Sequence, residues 1–407
     1  MTPSKTLYAI ILGTIIMIVP LAIDLYLPAF PGMAASFGTS IDAIEATVAV
    51  FLAGFALGQL TMGPVSDVFG RRIVLISGLV LFIVSSALIA CTDSLELLYV
   101  LRFLQAVGGG GTVAVFPAVR DRFNDHDSGV VISYIMAVVL IAPVIAPTLG
   151  GYLLLITPWQ TLFWVIAAFG AVALALTVVF VRDPVRERTS LSVGTATAGF
   201  ARVLSEPRIL MALLAGGFAF GGLFAFLSGA PFVYISYHGV AVEHFGYLIA
   251  MNAIATIGMN IVNGSLLSRT APVAKVYAGT AIMLLSSFVL LLSAQLELGL
   301  IPTVVLVIVF FTGLALTETN AIIVALSEMP AENGSISALS GALQFGIAAL
   351  ASLMVSVVES THPVSMIAIM LASAAAAFLC AFFLKRAHSG PGSRHIAQTA
   401  DNARCSA

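Results

Sequence analysis

The chain is poor in charge. Asp, Glu, Lys and Arg together make up 9% of its 407 residues, against 60% hydrophobic residues and a mean hydropathy of +1.10. A soluble domain needs roughly a quarter of its residues charged, so a water-covered surface is excluded for most of this sequence. Cysteine is scarce as well: Cys91, Cys380 and Cys405 are odd in number and have no metal-ligand spacing, which leaves neither a disulfide framework nor a metal site. The six histidines (His126, His238, His244, His362, His388 and His395) are scattered through connections and tails. They do not gather with carboxylates as a membrane-embedded enzyme would require. No G-x-x-x-x-G-K-[ST] segment is present, so no nucleotide drives the protein and no cofactor is expected. No basic patch exists to hold nucleic acid.

What fills the sequence instead is a series of apolar runs of about 20 residues, the length a helix needs to cross a hydrocarbon core ~30 Å thick. They fall near 7–28, 44–65, 73–92, 97–119, 129–154, 160–181, 208–236, 243–267, 273–294, 299–327, 334–359 and 363–385. Runs this long, rich in Leu, Ala and Val, satisfy their own backbone as helices rather than as barrel strands. The expected fold class is an all-α membrane protein of about twelve transmembrane helices.

The basic residues are missing from every second connection. Of 17 Lys and Arg, all but Arg102 lie in one alternating set of loops and tails, from Lys5, Arg71 and Arg72 to Arg386, Arg394 and Arg404. By the positive-inside rule that set is cytoplasmic, with both termini on the same side. A cleaved signal peptide is the poorer reading of the first run, because the run is too long and its removal would break the loop parity. The longest connection, 182–207, is charged and rich in small residues and reads as a cytoplasmic linker between residues 1–181 and 208–386. Two sets of six helices imply a duplication with a path between them. The segment NGSLLSRTAPVAK from Asn263 to Lys275 is a charge-poor echo of the Arg-rich connection two hundred residues earlier. Residues 387–407 read as a disordered cytoplasmic tail.

Three ionisable residues sit deep in the runs, away from their ends: Asp24, Arg102 and Glu318. Charge at membrane depth persists where it faces a protein interior or a water-filled cavity. Arg102 stays charged, so carboxylate, carbonyl or polar groups must offset it, and Gln105 shares its helical face. Two readings stand for Asp24 and Arg102: a proton-exchanging pair, or a fixed ion pair joining the first and fourth helices. Glu318 has two as well, a protonatable or cation-binding site and a neutral acid hydrogen-bonded between helices. Polar side chains expected to line a cavity are Tyr26, Gln59, Gln105, Gln344 and the i, i+4, i+8 stripe Asn252, Thr256, Asn260. The seventh run carries Phe218, Phe220, Phe224, Phe226, Phe232, Tyr234 and Tyr237, for which two readings stand, the lining of a wide pocket and, for most of them, lipid-facing or belt positions. In the fifth run Pro143, Pro147 and Gly150 share a face, with Gly151 beside them, a bent seam with little side-chain bulk. Gly63 and Gly70 bound a tight turn in which Asp67 meets Arg71 and Arg72, with Asp121 adding a second carboxylate.

These segments resemble a known family. GPVSDVFGRR from Gly63 to Arg72, LRFLQAVG from Leu101 to Gly108 and APTLGG from Ala146 to Gly151 are similar to motifs A, B and C of the major facilitator superfamily. Ala146 departs from the glycine usual in motif C. LAIDLYLPAFP around Asp24, FALGQL around Gln59, FLSGAPFVYI and FGYLIAMN resemble the Bcr/CflA, bicyclomycin-resistance, branch of proton-coupled drug exporters. The resemblance implies two six-helix bundles working by alternating access, with the motif A cluster latching the cytoplasmic side and motif C sealing against proton leak. It implies export of amphipathic drugs in exchange for protons by a monomer in a bacterial cytoplasmic membrane, with Arg102 acting on the coupling carboxylate. Export or symport of a small natural metabolite on the same fold is the alternative.

Overall fold

Every element of the computed structural model is helical over the residues it describes, 3–181, 193–329, 332–358 and 362–388. Twelve helices are long and apolar enough to cross a membrane: α1 (Lys5–Phe37), α2 (Ile41–Ser66), α3 (Arg71–Ile89), α4 (Leu95–Arg122), α5 (Asp127–Leu153), α6 (Gln160–Phe180), α7 (Pro207–Tyr237), α8 (Val242–Ser265), α9 (Pro272–Gln295), α10 (Leu300–Glu328), α11 (Gly334–Val357) and α12 (Val364–Ala387). Side-chain caps start several of them. Ser40 Oγ accepts from the Ala43 amide ahead of α2, Ser94 Oγ from Leu97 ahead of α4, and Asn124 Oδ1 from Asp127 ahead of α5.

The expected segments match within a few residues except the first, which continues past residue 28 to Phe37. Pro28 does not end the span. The helix Pro3–Asp24 breaks at Leu25 and Tyr26, a 3-10 turn follows at Leu27–Ala29, and a new helix runs from Phe30 to Phe37. Proline is tolerated there because the first turn of a helix has no use for its missing N–H. Its counterpart in the second half, α7, is also interrupted, changing at Pro231 to a wider turn over Phe232–Tyr237. Paired interruptions at matching places in two halves are a recurrent mark of a transport site. α5 bends at Leu140, where Pro143 opens the run Ala142–Leu153.

The turn expected between Gly63 and Gly70 shrinks to one residue. α2 stays helical through Gly63 and Pro64 to Phe69, and only Gly70, at φ 100°, breaks it. A Cβ on Gly63 would meet nothing within 4 Å, so that glycine is not demanded by the turn. The connection read as a linker holds a helix, Val193–Ser205, against α11 and α7. Val203 buries into a cluster with Ile209, Leu213 and Ile336, and Arg202 pairs with Glu332 at 2.6 Å. Residues 182–192 and 389–407 lie outside the described residues.

Packing sorts α1–α6 and α7–α12 into two bundles. The halves meet along two flanks, α2 on α11 and the second run of α5 on α8, while the first run of α5 packs on α1. At the end opposite the termini Gly151 backs onto Val242, and the Tyr152 and Tyr247 hydroxyls hydrogen-bond at 2.5 Å.

Candidate functional site

Arg102 is the largest fully buried side chain among the described residues. Its guanidinium lies 4.3 Å from the Tyr26 ring centroid and 4.4 Å from that of Phe51, with Phe163 at 5.9 Å. Nη1 donates to the Ala22 carbonyl at 3.2 Å and to Gln105 Oε1 at 2.6 Å, and Gln105 Nε2 donates to Ser86 Oγ at 2.8 Å. Tyr26 shares a hydrogen bond with Thr47 at 2.9 Å. Tyr26 and Gln105, expected to line a cavity, are both placed against Arg102. Both are completely buried and hold Arg102 in place. The fixed ion pair between Asp24 and Arg102 is absent among the described residues, because aromatic faces and a carbonyl occupy the guanidinium instead.

Asp24 is the last residue of the first helical run of α1, buried where the chain bends. No hydrogen bond or ion pair joins its carboxylate to another described residue. The Ala22 carbonyl that receives Arg102 is two residues away, so carboxylate and guanidinium share a neighbourhood without touching. The bend is clamped by the small-residue face of α5. A Cβ on Gly150 would collide with the Leu25 carbonyl, and one on Gly151 would sit 2.6 Å from the Val242 carbonyl of α8. Gly246 of α8 abuts the Thr148 backbone in the same way. The α5 segment thus touches the residue after Asp24 on one side and the other half of the molecule on the other.

In the second half Glu318 of α10 is half-buried. Its Oε2 accepts from Gln344 Nε2 at 3.3 Å, while Oε1 has no partner. Thr319 donates to Asn260 Oδ1 at 3.0 Å. Of the α8 stripe, Thr256 and Asn260 are half-buried, whereas Asn252 is buried with both amide atoms unpaired. Gln59 of α2 reaches across the seam, its Oε1 standing 2.9 Å from where a Cβ of Gly341 would be. Phe345 packs edge-on against Phe55 of α2 at 4.6 Å and against Phe220 of α7 at 5.2 Å. The α7 aromatics are not mainly lipid-facing: Phe224, Phe226 and Tyr234 are buried, because a ring that finds ring partners inside the bundle fills it densely.

At the basic end Arg71 Nε donates to Asp121 Oδ2 at 3.3 Å and Nη1 to Ser66 Oγ at 2.6 Å, while Arg72 donates to the Val178 carbonyl at 2.8 Å. These contacts tie α2, α3, α4 and α6 together. The side chain of Asp67 lies outside the described residues. The echo in the second half has an amide in place of the carboxylate: Lys275 Nζ and Asn320 Nδ2 both donate to Asn263 Oδ1, at 3.0 and 3.2 Å.

Glu45 escaped the sequence reading. It lies one turn into α2 beside Asp42 and the Ser40 cap, where a carboxylate reads as helix-start chemistry. It is completely buried, and neither carboxylate oxygen has a partner.

Twelve apolar helices in two bundles, paired interruptions in α1 and α7 and ionisable groups buried at membrane depth define a polytopic membrane transporter. The family model of the Major Facilitator Superfamily matches residues 12–352, and the chain belongs to that family. It is 29% identical over 384 residues to a bicyclomycin resistance protein homolog of Haemophilus influenzae, covering 94% of this chain and 96% of that protein. Over 390 residues it is 30% identical to the MFS-type transporter YdgK of Bacillus subtilis, covering 95% and 97%. The multidrug resistance protein MdtL of Klebsiella pneumoniae is 30% identical over 287 residues, 70% of this chain and 71% of that one. Among solved structures, a D-xylose-proton symporter shares the fold with a TM-score of 0.73 at 15% identity, covering 94% of this chain and 96% of that one.

Proposed function

We propose that the protein is a proton-coupled exporter of amphipathic drug-like molecules in a bacterial inner membrane, a monomer with both termini cytoplasmic, working by alternating access of α1–α6 against α7–α12. The names of two relatives, a bicyclomycin resistance protein homolog and a multidrug resistance protein, support the substrate class. One-sided placement of Lys and Arg supports the orientation. The observation that carries the coupling is the position of Asp24. Its carboxylate is buried at the break of α1 with no partner, and the next residue is gripped by Gly150 on the seam to α8. A change in how the halves pack moves the Leu25 backbone, and with it the surroundings that decide whether Asp24 keeps a proton. Arg102, held on the Ala22 carbonyl two residues before Asp24, adds a constant positive field. Proton uptake from outside and drug release to outside become alternative occupancies of one structural unit. In this reading the Arg71–Asp121 cluster stabilises the cytoplasmic end, and Pro143, Pro147, Gly150 and Gly151 keep the seam dry. Glu318 is the other carboxylate able to take the coupling role.

The test is drug-induced proton release from purified protein in detergent, with bicyclomycin and a panel of other drugs and metabolites. Release is expected from wild type and Glu318→Gln and is expected to vanish in Asp24→Asn. Loss in Glu318→Gln alone moves coupling to α10, and a wild type that releases no proton with any compound overturns proton exchange.

A further inference from the structure

Glu318 is a carboxylate without a counter-charge. No Lys or Arg among the described residues pairs with it. The one intramembrane arginine, Arg102, is sealed in the other half under Tyr26 and Phe51, and Lys275 is engaged by Asn263. Among the described residues its hydrogen-bond donor is the Gln344 amide, a neutral group that satisfies Oε2 and leaves Oε1 without a partner. An unpaired carboxylate away from water is costly and calls for a partner from elsewhere.

The surroundings indicate which partner. Phe345 follows Gln344 on α11, and its ring joins Phe55 of α2 and Phe220 of α7 in edge-on contacts, Phe220 continuing to Phe224 at 5.0 Å. Opposite Gln344, α7 presents Gly216, where even a Cβ would lie 3.9 Å from the Gln344 amide, so that wall is backbone-smooth. Gln59 enters beside Gly341, one helical turn from Phe345. On α11, then, Gln344 holds the acid of α10, the next residue Phe345 holds the rings of α2 and α7, and Gln59 of α2 enters one turn before, all on the flank where α2 meets α11. Anionic ligands would meet repulsion, and neutral ones would leave the acid unsatisfied. A delocalised organic cation satisfies both parts, its charge on the carboxylate and its apolar body on the rings.

We propose that Glu318, with Gln344 and the Phe55, Phe220 and Phe345 rings, forms a binding subsite for organic cations and sets the charge preference of the substrate. The subsite takes its substrate from the export reading, but its test does not require proton exchange. Gln344 positions Glu318, and the ligand displaces its amide to reach the carboxylate.

The experiment is equilibrium binding of tetraphenylphosphonium and of the neutral drug chloramphenicol to purified full-length protein, read as the ratio of the two affinities. Glu318→Gln is expected to lower the preference for the cation ~10- to 100-fold, the scale of a partly desolvated ion pair. Phe345→Leu keeps the acid and is expected to lower the ratio ~3- to 5-fold through the lost ring face. Should Glu318→Gln fail to fold, the Phe345→Leu ratio decides. An unchanged ratio in the folded variants overturns the subsite, as does a wild type that binds the neutral drug and no cation. A wild type that shows the cation preference while no compound of the panel releases a proton leaves the subsite standing and overturns proton exchange. A wild type that binds neither ligand overturns the subsite and leaves proton exchange to be decided by the drug panel.

Discussion

Arg102 shows what a single residue demands of this fold. Its charge is completely buried, yet the compensation is two aromatic faces, one backbone carbonyl and one glutamine, with Nε and Nη2 unpaired. Lysine cannot stack flat between Tyr26 and Phe51 or reach Ala22 and Gln105 together. Arg102→Lys is therefore expected to lose ~1–3 kcal/mol of stability, read as a lower melting temperature in detergent, together with drug-induced proton release. An unchanged melt would mean that the charge alone, not the plane, holds the site. Glu45 poses the opposite problem, a buried carboxylate with nothing to bind. Glu45→Gln removes a charge and keeps the shape, so its melting temperature at neutral pH is expected to match or exceed that of wild type. A clear drop would reveal a partner that requires the acid. Asp24, Arg102 and Glu318 were readable from the sequence because charge deep in an apolar run has few explanations, whereas Glu45, at the start of a run, reads as helix-start chemistry. The neutral polar ones were not: Tyr26 and Gln105 have the composition of cavity residues, and only the structure tells a side chain facing a cavity from one already engaged by a neighbour.

At the scale of helices, the two halves repeat one device. Gly78 of α3 and Gly108 of α4 face each other so closely that a Cβ on either would lie 2.6 Å from the other's carbonyl, and Gly279 of α9 and Gly313 of α10 do the same at 2.6 and 2.5 Å. Without a hydrophobic force to press helices together in lipid, such backbone approaches carry the packing. Gly108→Ala and Gly313→Ala push against backbone, which cannot rotate away, and each is expected to destabilise by about 1–3 kcal/mol. Gly258→Ala in α8 is the control. Nothing lies within 4 Å of the added methyl, and helix propensity predicts a gain of up to about 1 kcal/mol. Melting temperatures of the three variants test the contrast, and equal losses would mean that the crossings are looser than their geometry. Element positions were readable because length and hydropathy suffice for a span. The break after Asp24, the wide turn at Phe232–Tyr237 and the helix Val193–Ser205 were not, since each depends on what the segment packs against: Gly150 clamps the first, and the α11 surface holds the last.

For the whole molecule, the count of spans and their division into two halves could be read from loop charge and the charged connection after α6. Which helices join the halves could not, because an apolar face suits lipid and a neighbouring helix equally. The structure selects α2 with α11 and α5 with α8, and the second pair has a specific geometry. On that flank the contact is concentrated in the second run of α5, beyond the bend at Leu140, and ends in the hydrogen-bonded Tyr152 and Tyr247 hydroxyls. If alternating access is rocking of one half against the other, this end must part once per cycle. A covalent tie across it is then expected to stop turnover while leaving the subsite around Glu318, deeper and on the other flank, accessible. Tyr152→Cys with Tyr247→Cys, in a chain whose other cysteines are replaced, can be joined by a short thiol-reactive cross-linker. Cross-linked protein in proteoliposomes is expected to lose drug transport almost completely and to regain it when a cleavable linker is cut, with tetraphenylphosphonium binding within about twofold throughout. Transport that survives full cross-linking would mean that α5 and α8 stay together through the cycle, and the moving seam would have to be sought between α2 and α11.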